Sequence, residues 1–172
     1  MPCNCKKTNT VLQDTTDPLQ WGPILWKYLH SLAEHLGFSG NSIVDTDQAN
    51  YMETVMTTLH SIVPCKECQA HTASYISANP FQIKGLQGEI LRTTARDWLF
   101  QFHNNVRIMK NQTPMTMEEY VLLSMSISKS DYAFFVQTVA SSIRQGVVRI
   151  DNWRKWYSNS ERLRIIAGNV VI

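Results

Sequence analysis

From Trp21 onward the apolar residues fall at helical spacing: Trp21, Leu25, Leu29, Leu32 and Leu36 mark one face. Asp17-Pro18 ahead of them reads as a helix start, with Asp as cap and Pro in the first turn, and Gly37 reads as the stop. Asp47 is a candidate cap for a second helix with the face Met52, Val55, Met56, Leu59, Ile62 and Val63, ended by Pro64. A third opens at Cys65-x-x-Cys68 and runs through Ala70, Ala73 and Ile76 to Asn79-Pro80. A linker with Gly85 and Gly88 leads to a fourth, with the stripe Leu91, Ala95, Trp98, Leu99, Phe102 and Val106. Short connections between such helices predict an all-α four-helix bundle.

The chain restarts beyond Pro114. Thr116-Met117-Glu118-Glu119 reads as a capping box for a short fifth helix. Tyr132, Phe135, Val136, Val139 and Ile143 predict a sixth, ended by Gly146, and Asn152 to Ile166 a last one, with Trp153, Trp156, Tyr157 and Leu163. Val147 to Ile150 is the best β candidate, and it is short. Residues 1–16 are polar and read as a tail.

Composition narrows the function classes. The chain has 172 residues, 44% of them hydrophobic, enough for a real core. A net charge of +2 gives a nucleic-acid role no support. No apolar run approaches the roughly 18–20 residues of a membrane span. Met1 to Lys7 lacks the apolar stretch of a secretory signal. The cysteines change the picture most. There are four, in two close pairs, Cys3-x-Cys5 and Cys65-x-x-Cys68. Close pairs close almost no loop, so redox exchange or metal binding suits them better than scaffolding.

At a helix N-terminus Cys65 sits among free N–H groups at the positive dipole end, which favours its thiolate, and Cys68 lies one turn on. That is the geometry of a redox disulfide. It is also half a zinc site, with His71 and the Cys3/Cys5 pair as possible further ligands. Trp26 and His30 share a stripe of the first helix and can line a planar ring system, or serve as a core aromatic beside a satisfied histidine. His103 and Asn104 on the fourth helix can fix the polar edge of a heterocycle, or merely belong to its polar face.

In this order, W-x-x-x-H at Trp26 and His30, P-C-x-x-C at Pro64 to Cys68, and W-x-x-x-x-H-N-x-V at Trp98 to Val106, the chain resembles the Erv/ALR family of flavin-linked sulfhydryl oxidases. The resemblance covers Pro18 to Tyr120 and is greatest to the branch encoded by large cytoplasmic DNA viruses. It implies a four-helix bundle holding FAD, usually as a homodimer, that converts 2 R-SH and O2 into R-S-S-R and H2O2. It implies that Cys68 lies against the flavin and that Cys65 exchanges with incoming thiols. Gly22, Trp26, His30, His103, Asn104, Val106 and Tyr120 become candidate cofactor-binding residues, with no metal. Cys3 and Cys5 become a candidate shuttle pair. The expected partners are protein dithiols or a thioredoxin-like relay protein, and dioxygen. The expected location is host cytoplasm at virus assembly sites, or the virion.

The sequence departs from the cellular members of that family. Pro23 stands where they have Arg, Arg107 where they have Asn, and Phe100 where they have a cysteine of a structural disulfide. Their phosphate-binding basic residues are out of register, so Arg107 or Lys110 becomes the candidate. The expected organisation is a tail over 1–16, an oxidase domain over 17–120 and a helical extension over 121–172. The competing readings are a zinc-stabilised binding module and a cofactor-free thioredoxin-like enzyme; the latter needs β-α-β segments that helical periodicity disfavours.

Overall fold

The structure, a computed structural model, describes residues 17–123, 126–168 and 170–172. The tail reading for 1–16, Cys3 and Cys5 included, lies outside the described residues. Seven α-helices occur among them: α1 Pro18–Glu34, α2 Ser42–Thr58, α3 Lys66–Ala78, α4 Gly88–Met109, α5 Met117–Leu123, α6 Lys129–Arg144 and α7 Ile150–Ala167. The all-α expectation holds.

Local chemistry sets most helix starts. The Asp17 side chain accepts from the Leu19 N–H and Pro18 opens α1, as expected. The capping box is reciprocal: the Thr116 N–H donates to Glu119, and the Glu119 N–H donates to the Thr116 hydroxyl. Helix α2 differs from expectation. It starts at Ser42, capped by Asn41, whose side chain accepts from the Ile43 and Val44 N–H groups, and Asp47 lies inside it. It ends at Thr58, and a 3-10 turn over Leu59–Ser61 follows before Pro64. The β candidate fails too, since Ile150 already begins α7. Among the described residues the β pairing is an isolated bridge between Ile127 and Val171.

One glycine fixes the bundle's corner. Gly37 has φ +71°, and a Cβ there would lie 2.0 Å from the Gly88 carbonyl oxygen, so no side chain fits. The Gln48 side-chain Oε1 accepts from the Gly37 N–H, and the Asp45 carboxylate accepts from the Gly88 N–H. These bonds lock the α1–α2 turn against the start of α4.

The core is continuous from α1 to α7. Helix α1 packs on α4 and α6, and α2 packs most extensively on α7. Tyr28, Met52, Val55, Leu99, Phe135, Val139, Trp156 and Leu163 are all fully buried within it. Burying each such side chain contributes about 1.5–3 kcal/mol. Trp156 Nε1 donates to the Val55 carbonyl, and the Tyr28 hydroxyl donates to that of Ser160. Residues beyond 121 therefore close one side of α1 and α2.

Candidate active site

The site begins with the way α3 starts. Cys65 is the N-cap, in extended backbone, and its sulfur accepts from the Cys68 N–H at 3.2 Å. That places Cys65 Sγ at the positive end of the helix. Cys65 and Cys68 are joined as a disulfide, with Cα atoms 5.2 Å apart. Gln69, next in the helix, donates to the Val63 and Val147 carbonyls, tying the redox turn to the segment ahead of α7.

Helices α1 and α4 supply a ladder of flat rings beside it. Trp26 stacks on His103 at 4.2 Å with the planes 4° apart. His103 Nδ1 and His30 Nε2 are 3.0 Å apart and share a hydrogen bond. Burial drives the His30 pKa down to about 3, with His103 adding to the effect. Burial likewise drives that of His103 to about 4, with Arg107 adding to it. Both rings are therefore neutral at pH 7. His30 Nδ1 is buried and has no hydrogen-bond partner among the described residues.

Behind the ladder lies an ionic clamp. Arg96 makes a bidentate pair with Glu34 at 2.6 and 2.5 Å, and the Tyr120 hydroxyl donates to Glu34 at 2.8 Å. Burial would raise the Glu34 pKa, but Arg96 and Tyr120 outweigh it and hold the carboxyl below its usual range. The Tyr120 ring meets His30 edge-on at 4.7 Å.

A cleft of about 260 Å³ joins the disulfide to the ladder. Of the residues singled out from sequence, Gly22, Trp26, Cys65, Cys68, Val106 and Lys110 line it. His30, His103 and Tyr120 stand behind Trp26. Asn104 is turned away: its amide donates to the Met115 carbonyl and accepts from the Met115 N–H, pinning the loop after α4. Arg107 Nε donates to the Thr113 carbonyl in the same loop. His71 and Phe102 also line the cleft; the sequence singled out His71 only as a possible zinc ligand and Phe102 only as part of an apolar stripe. Phe102 lies four before Val106 on the α4 stripe, and His71 three beyond Cys68, so helical spacing alone points to both.

Among the described residues no group of three or more His, Cys, Asp or Glu can hold a metal ion. His71 Nε2 bonds instead to Asn105 Oδ1 at 3.0 Å. No helix among them is long and apolar enough to cross a membrane.

Fold and site together define an all-helical redox protein with a two-cysteine disulfide opening into a cleft walled by flat rings. Comparison with known proteins agrees. The sequence model of the Erv1/Alr family matches residues 23–122, and the chain belongs to that family. It is 26% identical over 121 residues to an FAD-linked sulfhydryl oxidase of African swine fever virus (isolate Pig/Kenya/KEN-50/1950), covering 66% of this chain and 93% of the relative. Protein 088R of frog virus 3 (isolate Goorha), provisionally named an FAD-linked sulfhydryl oxidase, is 22% identical over 130 residues, covering 70% of this chain and 83% of its own. No solved structure matches the chain.

Proposed function

We propose that the chain is an FAD-linked sulfhydryl oxidase whose working disulfide is Cys65–Cys68. The observation that carries this reading is that disulfide at the mouth of α3, sharing one cleft with the Trp26 ring.

The chain's residues fit the cofactor. The cleft is smaller than the about 300–1,000 Å³ of pockets that enclose whole ligands, so it suits a flat ring system rather than an entire dinucleotide. Its walls suit such a ring: Trp26 and Phe102 are aromatic, and Leu25, Leu29 and Val63 are apolar. Lys110 at the cleft is the cation available to a phosphate. The partnerless His30 Nδ1 leaves the ladder one polar contact short. FAD, when bound, supplies the two-electron acceptor for the cysteine pair and the route to dioxygen.

The protein's own residues do the thiol exchange. A substrate thiolate attacks Cys65 Sγ, the Cys65–Cys68 bond breaks, and Cys68 leaves as a thiolate. The second substrate thiolate then attacks the substrate sulfur of the mixed disulfide. Cys65 leaves as a thiolate, steadied by the Cys68 N–H and the α3 dipole. Gln69 holds the turn in place throughout.

Protein dithiols, directly or through a thioredoxin-like relay, are the substrates we favour, with Cys3 and Cys5 as shuttle and a homodimer as the assembly. The viral relatives support action in host cytoplasm during virus assembly, where cellular thiols are otherwise kept reduced. The test is the visible spectrum of purified, dialysed protein followed by dithiothreitol-driven oxygen uptake. One FAD per chain with peroxide formation is expected. A colourless protein that takes up no added FAD would sink the reading.

A further inference from the structure

We propose that His71 is the proton acceptor for the Cys68 thiol, held in one tautomer by Asn105. The inference rests on the sulfhydryl oxidase reading, because only a cycling cysteine pair needs such a group.

His71 lines the same cleft as Cys65 and Cys68. It follows Cys68 by three residues in α3, and residues so spaced have Cβ atoms about 5–6 Å apart on one helix face. Its Nε2 meets Asn105 Oδ1, from α4, at 3.0 Å. An amide oxygen only accepts, so Nε2 carries the proton and Nδ1 carries the lone pair. A histidine wanted only to join α3 to α4 need not stand at the redox cleft. The Phe102 ring, 6.3 Å away, borders it on the α4 side.

The charged and titratable surroundings are few. On α3 itself, Glu67 lines the cleft, and Tyr75 follows one turn beyond His71, stacked on Phe102 at 4.5 Å. From α4, Lys110 lines the cleft, while Arg107 donates to the Thr113 carbonyl. Helix α1 contributes Trp21, Gly22 and Trp26 there, and the segment after α2 contributes Leu59 and Val63, none of them charged.

After exchange the two leaving thiolates take up the two protons that the substrate thiols lost, and reoxidation of the resulting dithiol forms one S–S bond and releases two electrons and two protons. The electron pair passes to the acceptor that the oxidase activity supplies. The Cys68 proton goes to His71 Nδ1, the Cys65 proton goes to solvent, and both are finally matched by the two protons taken up in peroxide. Without His71, Cys68 loses its proton only to water, and its thiolate is the nucleophile.

The test is anaerobic alkylation of the reduced holoprotein with iodoacetamide across pH, with modification at Cys68 read by peptide mass. In His71→Gln the Cys68 rate at pH 7 is expected to fall about tenfold, with the profile midpoint about one unit higher. Asn105→Ala, which leaves the imidazole in place, is expected to shift the profile the same way by a smaller amount. It carries the test should His71→Gln fail to fold. Imidazole added to His71→Ala is expected to restore thiol oxidation. Cys68 profiles that superimpose on wild type in the variants would overturn the proposal. Because alkylation needs no turnover, a wild-type protein that consumes no oxygen would count against the oxidase reading alone.

Discussion

Helix α1 has two working faces, and they are finished differently. On one, Tyr28 is fully buried between Tyr132 at 5.1 Å and Trp156 at 6.2 Å. Its hydroxyl reaches the Ser160 carbonyl, Trp156 Nε1 reaches that of Val55, and Tyr132 bonds Glu161, which pairs with Arg164. On the other, two residues away, Trp26 and His30 build a ring ladder that ends in a partnerless Nδ1 and borders an open cleft. Thr138 Oγ1 on α6 is also unpartnered, but it lies in closed packing. Aromatic residues alone do not tell a core from a site. What distinguishes the two faces is whether the rings are packed within the chain or border a space with a redox disulfide in its wall.

That contrast can be broken from either side. Trp156→Ala, on the closed face, is expected to cost about 3–5 kcal/mol of stability. FAD affinity of the folded protein should change little, as denaturant titration and flavin fluorescence would read. A comparable loss of affinity would mean that the faces are not independent. Acid acts on the open face. The His30 and His103 pKa values lie at about 3 and 4 when folded, below the ordinary 6.5. The unfolded chain therefore takes up the protons first. Stability contributed by the neutral rings is present above pH 6.5 and falls as pH drops from there toward 4. The slope approaches about 1.4 kcal/mol per pH unit for each ring. His103→Phe should make urea-derived stability fall less steeply, and an unchanged slope would contradict the assignment. Trp26→Ala is expected to weaken FAD binding about tenfold, or about 1.4 kcal/mol, with a smaller stability loss than Trp156→Ala. Tyr132→Phe, which removes only the hydroxyl bonded to Glu161, is expected to cost about 1 kcal/mol and leave oxidase activity untouched.

Sequence periodicity carried the helices because each buries one stripe. It failed at the start of α2, where Asn41 caps a first turn of mixed polarity that the apolar stripe does not reach. It failed at Val147–Ile150, where a short apolar run bridges two helices. The redox pair was legible because Cys65 needs only a helix N-terminus behind Pro64. The flat rings were legible through their family order. The uses of Asn104 and Arg107 were not, since both turn toward the loop at Thr113 to Met115, a contact that helical spacing does not encode. The continuity of α6 and α7 with the core was equally hidden, because an apolar stripe shows that a helix is covered and not what covers it.

The most direct test of the central claim is oxygen uptake by Cys68→Ser compared with wild type at equal bound FAD. Loss of dithiothreitol oxidation by about a thousandfold, with flavin still at one per chain, is what a working Cys65–Cys68 disulfide requires, since among the described residues no other cysteine lines the cleft. Wild-type turnover in that variant would contradict it.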